Sequence, residues 1–164
     1  MSISTRFVTV VMAAVSLIGF GTGSAAAEAG NGDMVPLSSI LRACDSSETE
    51  YVSATGFGSG QAFIGTGGSN TVTAEVRLGI GKPNTPYNVR VIQVPRPRSQ
   101  PCNAGDPGVL AGVLNTDGNG TGSVTLRGSL RPGATGAWAF VEGSPDPGQI
   151  RGEFYTSDVV TSLT

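Results

Sequence analysis

An alternation of apolar and polar residues with a period of two is the feature that most constrains the fold of this chain. One face of segment 71–78 carries Val72, Ala74, Val76 and Leu78, and the other face carries polar residues. Because successive side chains of a strand point to opposite faces, this pattern predicts a half-buried β-strand.

Short segments of strand character recur along most of the chain. They comprise residues 51–57, 61–65, 71–78, 87–94, 109–114, 123–130, 137–142 and 149–157. Clusters of Gly, Pro, Asn and Asp separate them, and the 25 glycines supply turn residues that tolerate positive φ. No helical pattern intervenes, so we expect an all-β, antiparallel, immunoglobulin-like sandwich of about eight short strands.

One segment before these strands has helical spacing instead. Leu37, Ile40, Leu41 and Cys44 follow the i, i+3, i+4, i+7 pattern, and Pro36 suits a first helical turn. We therefore predict one short N-terminal helical turn over residues 36–44, lying on the sheet.

The first 27 residues have the composition of an export signal. Arg6 precedes an apolar stretch over residues 7–20, and small residues precede Glu28. The stretch is shorter than the about 20 apolar residues that a spanning helix needs. We expect cleavage of residues 1–27, a disordered tail over 28–34, a single domain over 35–164, and no membrane span after cleavage.

Export also bears on the two cysteines. In an oxidising compartment, Cys44 and Cys102 are most simply explained as one disulfide. Closing a loop of this length removes about 4 kcal/mol of unfolded-state entropy in the chain-entropy treatment. A catalytic thiol would need a neighbour that lowers its pKa, and only Arg42 is close in sequence to Cys44.

The composition excludes several chemistries. The chain has no histidine, so Ser-His-Asp triads, Cys-His pairs and histidine-based metal sites are impossible. Its formal net charge of −2 argues against nucleic acid or an anionic membrane as the main partner.

The proline-rich segment 95–108 is the longest predicted loop. Arg96 and Arg98 lie in it and are candidates for contacting a carboxylate or phosphate ligand. The alternative is a long connection pinned at Cys102, with two solvated arginines. We favour this alternative and keep the arginines as a candidate ligand-contact loop.

Residues 115–120 partly match a calcium loop. Asn115, Asp117 and Asn119 occupy its first, third and fifth positions, but Leu126 stands where the bidentate Glu belongs. The Asp-Gly and Asn-Gly pairs also favour a hairpin turn. We expect the turn, with weak Ca²⁺ binding as an alternative.

Four acids near the C-terminus offer a route to an enzyme. Glu142, Asp146, Glu153 and Asp158 could supply an acid and a base, so a small carboxylate-dependent hydrolase of an envelope carbohydrate is an alternative function. Solvated strand faces explain them more simply. We therefore predict no catalytic residues.

Trp138 and Phe140 share one face of a predicted strand. We expect both to pack in the core, whereas an exposed Trp138 would indicate ligand stacking.

The string Pro-Gly-Gln-Ile-Arg-Gly-Glu over residues 147–153 resembles the signature that closes chordin-type (CHRD) β domains. The family's histidine-bearing strands are absent, so no metal role transfers. The order of signal segment, early Cys, segment 84–91, loop Cys and hairpin 116–120 is similar to small exported actinobacterial, mycobacterial-type proteins of undefined function. Both resemblances imply an extracellular β-sandwich and assign no reaction.

These features predict a secreted or cell-wall-associated module that binds or interacts without catalysis, cofactor or metal. Its partner would be an unidentified envelope or extracellular molecule, and the chain would be a monomer or a weak homodimer. Contacts are expected in the end loops 80–86, 95–108, 115–122 and 143–149.

Overall fold

The computed structural model describes residues 32–50, 52, 56–68 and 70–164. The predicted signal segment 1–27 and residues 28–31 of the predicted tail lie outside them. The described part is all-β, as predicted, and contains nine strands and no helix. They are β1 (Asp33–Ser38), β2 (Ser59–Gly67), β3 (Thr71–Gly79), β4 (Pro86–Val94), β5 (Val109–Asn115), β6 (Gly122–Ser129), β7 (Gly136–Gly143), β8 (Phe154–Ser157) and β9 (Thr161–Ser162).

The strands form one antiparallel sheet rather than two separate ones. Its order is β5-β4-β7-β8-β1-β2-β3-β6, and β9 pairs with β7. The sheet curls until its two end strands, β5 and β6, lie side by side. A Cβ placed on Gly112 of β5 would lie 2.6 Å from Cδ2 of Leu126 on β6, so glycine permits this close approach.

We call the line along which β5 and β6 lie side by side the seam. A buried side-chain amide bridges the seam at one end. Gln93 of β4 is fully buried, and its Nε2 donates a hydrogen bond to the carbonyl oxygen of Ser129 at 2.9 Å. Its Oε1 accepts a hydrogen bond from the backbone N–H of Arg131 at 2.7 Å. Gln93 therefore connects β4 to the end of β6, which is not its neighbour in the sheet.

The main core fills the inside of the curled sheet. The alternation predicted for segment 71–78 is confirmed, because every second residue of β3 is buried. Buried residues from most strands join one cluster, among them Ile64, Val76, Tyr87, Val141 and Tyr155.

A second, smaller core lies apart from this cluster. It contains Ile92, Trp138, Phe140, Phe154 and the disulfide-bonded Cys102, with Leu41 and Cys44 packed against it. Trp138 is only 1% exposed, so its predicted core position is confirmed. Residues of the segments around 41–44 and 102 complete this core, and the disulfide joins those two segments.

The predicted helical turn over 36–44 is wrong. Residues 36–38 belong to β1, which pairs with β2 and β8, and residues 39–44 form no helix. Val35 and Leu37 are buried while Met34 is exposed, which is a period of two. A short apolar run suits both periods, and pairing with two neighbouring strands decides between them. Asp33 and Met34, placed in the tail by the sequence, also belong to β1.

Two predicted strands differ from the structure. The described residues of segment 51–57 are 52, 56 and 57, and none of them is in a strand. The predicted strand is therefore wrong at these residues. In segment 149–157 only Phe154–Ser157 forms a strand. Its first residue, Gln149, instead closes a turn, because the Gln149 N–H donates a hydrogen bond to Asp146 O at 2.9 Å.

Candidate functional site

Several chain connections meet at one end of the curled sheet. Backbone hydrogen bonds join two of them, from Gly81 N–H to Gly120 O at 2.9 Å and from Asn84 N–H to Asp117 O at 3.0 Å. The connection after β7 also lies at this end, because β7 runs antiparallel to β4. Three of the four predicted end loops are thus at this end, whereas loop 95–108 follows the opposite end of β4.

A pocket of about 350 Å³ opens at this end. We call it the end pocket. Its lining residues are Gly56, Phe57, Ile80, Gly81, Lys82, Pro83, Asp146, Gln149 and Glu153. They come from three connections that are far apart in sequence.

Glu153 is the buried polar group of the end pocket, with only 7% of its surface exposed. It lies beside the end of β7 because Gly143 N–H donates to the Glu153 carbonyl oxygen at 2.9 Å. Its carboxylate interacts with the Tyr155 hydroxyl and, at 3.4 Å, with the backbone N–H of Lys82. None of the ion pairs in the described part of the chain involves Glu153.

The cation of the end pocket is paired with a different acid. Lys82 Nζ lies 2.6 Å from Asp146 Oδ2, and both side chains are partly exposed. Among the residues that the structure describes, the Glu153 carboxylate therefore has no cationic partner.

Two buried tyrosines hold the walls of the end pocket in place. The hydroxyl oxygen of Tyr155 accepts a hydrogen bond from Gly58 N–H at 2.9 Å, and that of Tyr87 accepts one from Lys82 N–H at 2.7 Å. Burial raises the pKa of the Tyr155 phenol above its ordinary value of 10.0, and the neighbouring Glu153 raises it further, against the Gly58 hydrogen bond.

The rim of the end pocket is apolar and exposed. Phe57 is 99% exposed and Ile80 is 71% exposed. Phe57 protrudes between two glycines that pack on the site, since a Cβ at Gly56 would lie 2.9 Å from Glu153 Oε2, and one at Gly58 would lie 2.5 Å from the Tyr155 oxygen. The close backbone approach of these glycines thus leaves Phe57 as the side chain presented by this segment.

Ile80 has a φ of 59°, in the left-handed region. A β-branched residue rarely adopts this conformation because of steric strain, and such strain clusters at functional sites. At the end pocket it places an isoleucine side chain in solvent.

A second depression lies on the outer face of β4, β5 and β7. It is a groove of about 680 Å³ that includes Arg90, Glu142 and Arg151. Glu142 bridges the two arginines, at 3.3 Å from Arg90 and 2.6 Å from Arg151. The Arg90 guanidinium also stacks on Phe140 at 4.4 Å and donates to Cys102 O at 3.1 Å. Arg90 is therefore held by contacts within the protein. Burial lowers the pKa of its guanidinium below the ordinary value.

The predicted ligand-contact arginines lie apart from the end pocket. Arg96 is 4% exposed, and its guanidinium donates to the carbonyl oxygens of Pro101 and Pro107 in its own loop. It therefore organises the loop and is not presented to a ligand. Arg98 is exposed and donates to Ser47 Oγ at 2.8 Å, which links the loop to the segment after Cys44.

The segment 115–120 forms a turn organised by Asp117. Its Oδ1 accepts hydrogen bonds from the N–H groups of Asn119 and Thr121, at 2.8 and 2.9 Å. These bonds, that from Thr121 first, hold the pKa of Asp117 below its ordinary value. Among the described residues no group of three or more His, Cys, Asp or Glu side chains is placed to hold a metal ion.

Of the four C-terminal acids, the end pocket brings together Asp146 and Glu153. Glu142 lies in the outer groove, and Asp158 lines neither depression. The predicted end loop 80–86 includes Ile80, but nothing in the sequence singles out this residue, Phe57 or Tyr155 as part of a site. The available signals were a Phe between two glycines and an Ile directly before the Gly-Lys-Pro turn.

Comparisons of the chain with protein-family models, curated proteins and solved structures find no match. Within the part of the chain that the structure describes, no helix is long and apolar enough to cross a membrane.

Proposed function

We propose that this chain is a secreted or cell-envelope-associated binding protein without catalytic activity, and that the end pocket is its ligand site. The observation that carries the proposal is the exposed apolar rim of Phe57 and Ile80 beside the buried carboxylate of Glu153. Ligand sites typically combine apolar walls with a few converging polar groups.

The energetics of the rim support binding. Ligand contact would remove apolar surface of Phe57 and Ile80 from water, which contributes about 25 cal/mol per Å² buried. Because the hydroxyls of Tyr155 and Tyr87 already hold two of the three connections that line the pocket, little ordering of those two backbone segments would accompany binding.

The arrangement of acids favours binding over hydrolysis. Asp146 is held by Lys82 at 2.6 Å, and the Glu153 carboxylate already interacts with the Tyr155 hydroxyl. A hydrolytic pair would need one acid free to donate a proton and the other free to activate water or attack. Export is supported by the composition of the N-terminal segment and by the Cys44–Cys102 disulfide.

The test is a screen of small aromatic and aliphatic fragments by ¹H–¹⁵N correlation spectroscopy, with cationic, neutral and anionic members. We expect binders to shift the amides of residues 56–58 and 80–82. Phe57→Ser should weaken the binding of these fragments. Met34→Ser, which changes an exposed apolar residue on β1, should leave their binding unchanged. If no fragment of any charge shifts these amides, the end pocket is not a ligand site.

A further inference from the structure

We propose that the end pocket selects a small organic ammonium ion, whose nitrogen pairs with Glu153 and whose apolar body lies against Phe57 and Ile80. This inference rests on the proposed function and adds the chemical class of the ligand.

The balance of charge in the end pocket favours a cationic ligand. Of its described lining residues, three have ionisable side chains, namely Lys82, Asp146 and Glu153. The ion pair of Lys82 with Asp146 accounts for one positive and one negative charge. The remaining carboxylate makes the pocket complementary to a cation and unfavourable for an anion.

The burial of the Glu153 carboxylate also favours an ammonium group over a neutral one. Glu153 is 7% exposed, and its contact with a backbone N–H, that of Lys82, is long at 3.4 Å. A buried carboxylate loses the stabilisation that water gives its charge. A charge-assisted hydrogen bond from an ammonium group replaces that stabilisation more fully than a hydrogen bond from a neutral ligand does. The Tyr155 hydroxyl, the other polar group in contact within the described part of the chain, carries no compensating charge.

The volume of the end pocket restricts the ligand to a small molecule. A volume of about 350 Å³ lies at the small end of the range for ligand pockets, and the hydrogen bonds to Tyr155 and Tyr87 restrict the movement of two of the three connections that line it. A single ring or short chain that carries one protonated amine suits this space. The apolar residues at the rim then contact the part of the ligand remote from its charge.

The experiment is a titration with benzylammonium, benzyl alcohol and benzoate, which share a ring and differ in charge. It is followed by ¹H–¹⁵N correlation spectra at neutral pH and constant ionic strength. We expect benzylammonium to bind about tenfold more tightly than benzyl alcohol, and benzoate to bind more weakly than either. The amides of residues 56–58 and 80–82 report binding.

Two variants test the role of the carboxylate. In Glu153→Gln, which keeps the size of the side chain, we expect the three probes to bind within about twofold of one another. Asp158→Asn removes one acid outside the pocket and should keep the preference of the unaltered protein. The comparison of the three probes on the unaltered chain holds even if Glu153→Gln does not fold.

The outcomes separate the two proposals. If benzyl alcohol binds as tightly as benzylammonium, the ammonium inference is wrong and the proposed function stands. If none of the three probes and no fragment in the screen binds, the proposed function itself is wrong. If Nα-acetyl-lysine methylamide binds more tightly than benzylammonium, the occupant is a lysine side chain of a protein partner, and the small-ammonium proposal is overturned.

Discussion

The hydroxyl oxygen of Tyr155 on β8 accepts a hydrogen bond from the backbone N–H of Gly58 at 2.9 Å. This bond joins the buried interior of the sheet to the segment that presents Phe57. Tyr87 on β4 holds the opposite wall in the same way, through Lys82 N–H. The end pocket is therefore built by side chains of the core that reach out to two surface connections.

Removal of the Tyr155 hydroxyl should loosen one wall selectively. Tyr155→Phe leaves the Gly58 N–H without its acceptor, and we expect a loss of about 1 to 2 kcal/mol in the free energy of unfolding. Hydrogen exchange should accelerate at Gly58. The matched control is Tyr87→Phe, which should instead accelerate exchange at Lys82. Equal acceleration at both amides in either variant would contradict independent anchoring.

The Tyr155 phenol should ionise late. Its pKa is raised above 10.0 by burial and by Glu153, so the folded protein keeps a proton that the unfolded chain releases. The free energy of unfolding should therefore fall as the pH rises above 10.0. The difference between ultraviolet pH titrations of the unaltered protein and Tyr155→Phe isolates this group. An ionisation at or below pH 10.0 would contradict the buried environment.

The disulfide should control access to the smaller core. Cys44→Ser with Cys102→Ser frees two segments that contact Trp138 and its neighbours, and chain entropy predicts a loss of about 4 kcal/mol of stability. Because the chain has one tryptophan, its fluorescence reports exposure directly. We expect an emission shift to longer wavelength in the double variant. Unchanged emission together with unchanged stability would show that the bridge does not hold this core.

Gln93 should be a stability residue of the seam. Gln93→Leu keeps the bulk but leaves Ser129 O and Arg131 N–H without their partner across the seam, so we expect a loss of about 2 kcal/mol or more. Denaturant unfolding measures this change. Gln100→Leu in loop 95–108 is the control and should change stability by less than about 0.5 kcal/mol. Comparable losses of stability in the two variants would mean that the hydrogen bonds of Gln93 across the seam do not stabilise the fold specifically.

Much of the fold was predictable because strand periodicity is local. The alternation in β3 follows from residues within one short segment, and the glycine-rich turns mark its ends. The segment around Leu37 was mispredicted because its conformation depends on β2 and β8, which are distant in sequence. Likewise, nothing local to Gln93 indicates that its amide bridges the seam.

The candidate site was only partly predictable for the same reason. The sequence places Asp146 and Glu153 near each other and predicts contacts in four end loops, but which three of these loops share an end is seen only in the structure. The contributions of Phe57 and Ile80 required knowledge of which loops meet at one end of the sheet. Arg96 had the right chemistry for an anion site, but burial against Pro101 O and Pro107 O was invisible in the sequence.

The most direct test of the end pocket is to locate a bound organic ammonium ion on the protein. Intermolecular nuclear Overhauser effects should be measured between the ring protons of benzylammonium and the side chains of the labelled protein. We predict contacts to the Ile80 methyl groups and the Phe57 ring. Contacts to the methyl groups of Ala111 and Val113 in the outer groove, without any to Ile80 or Phe57, would contradict it.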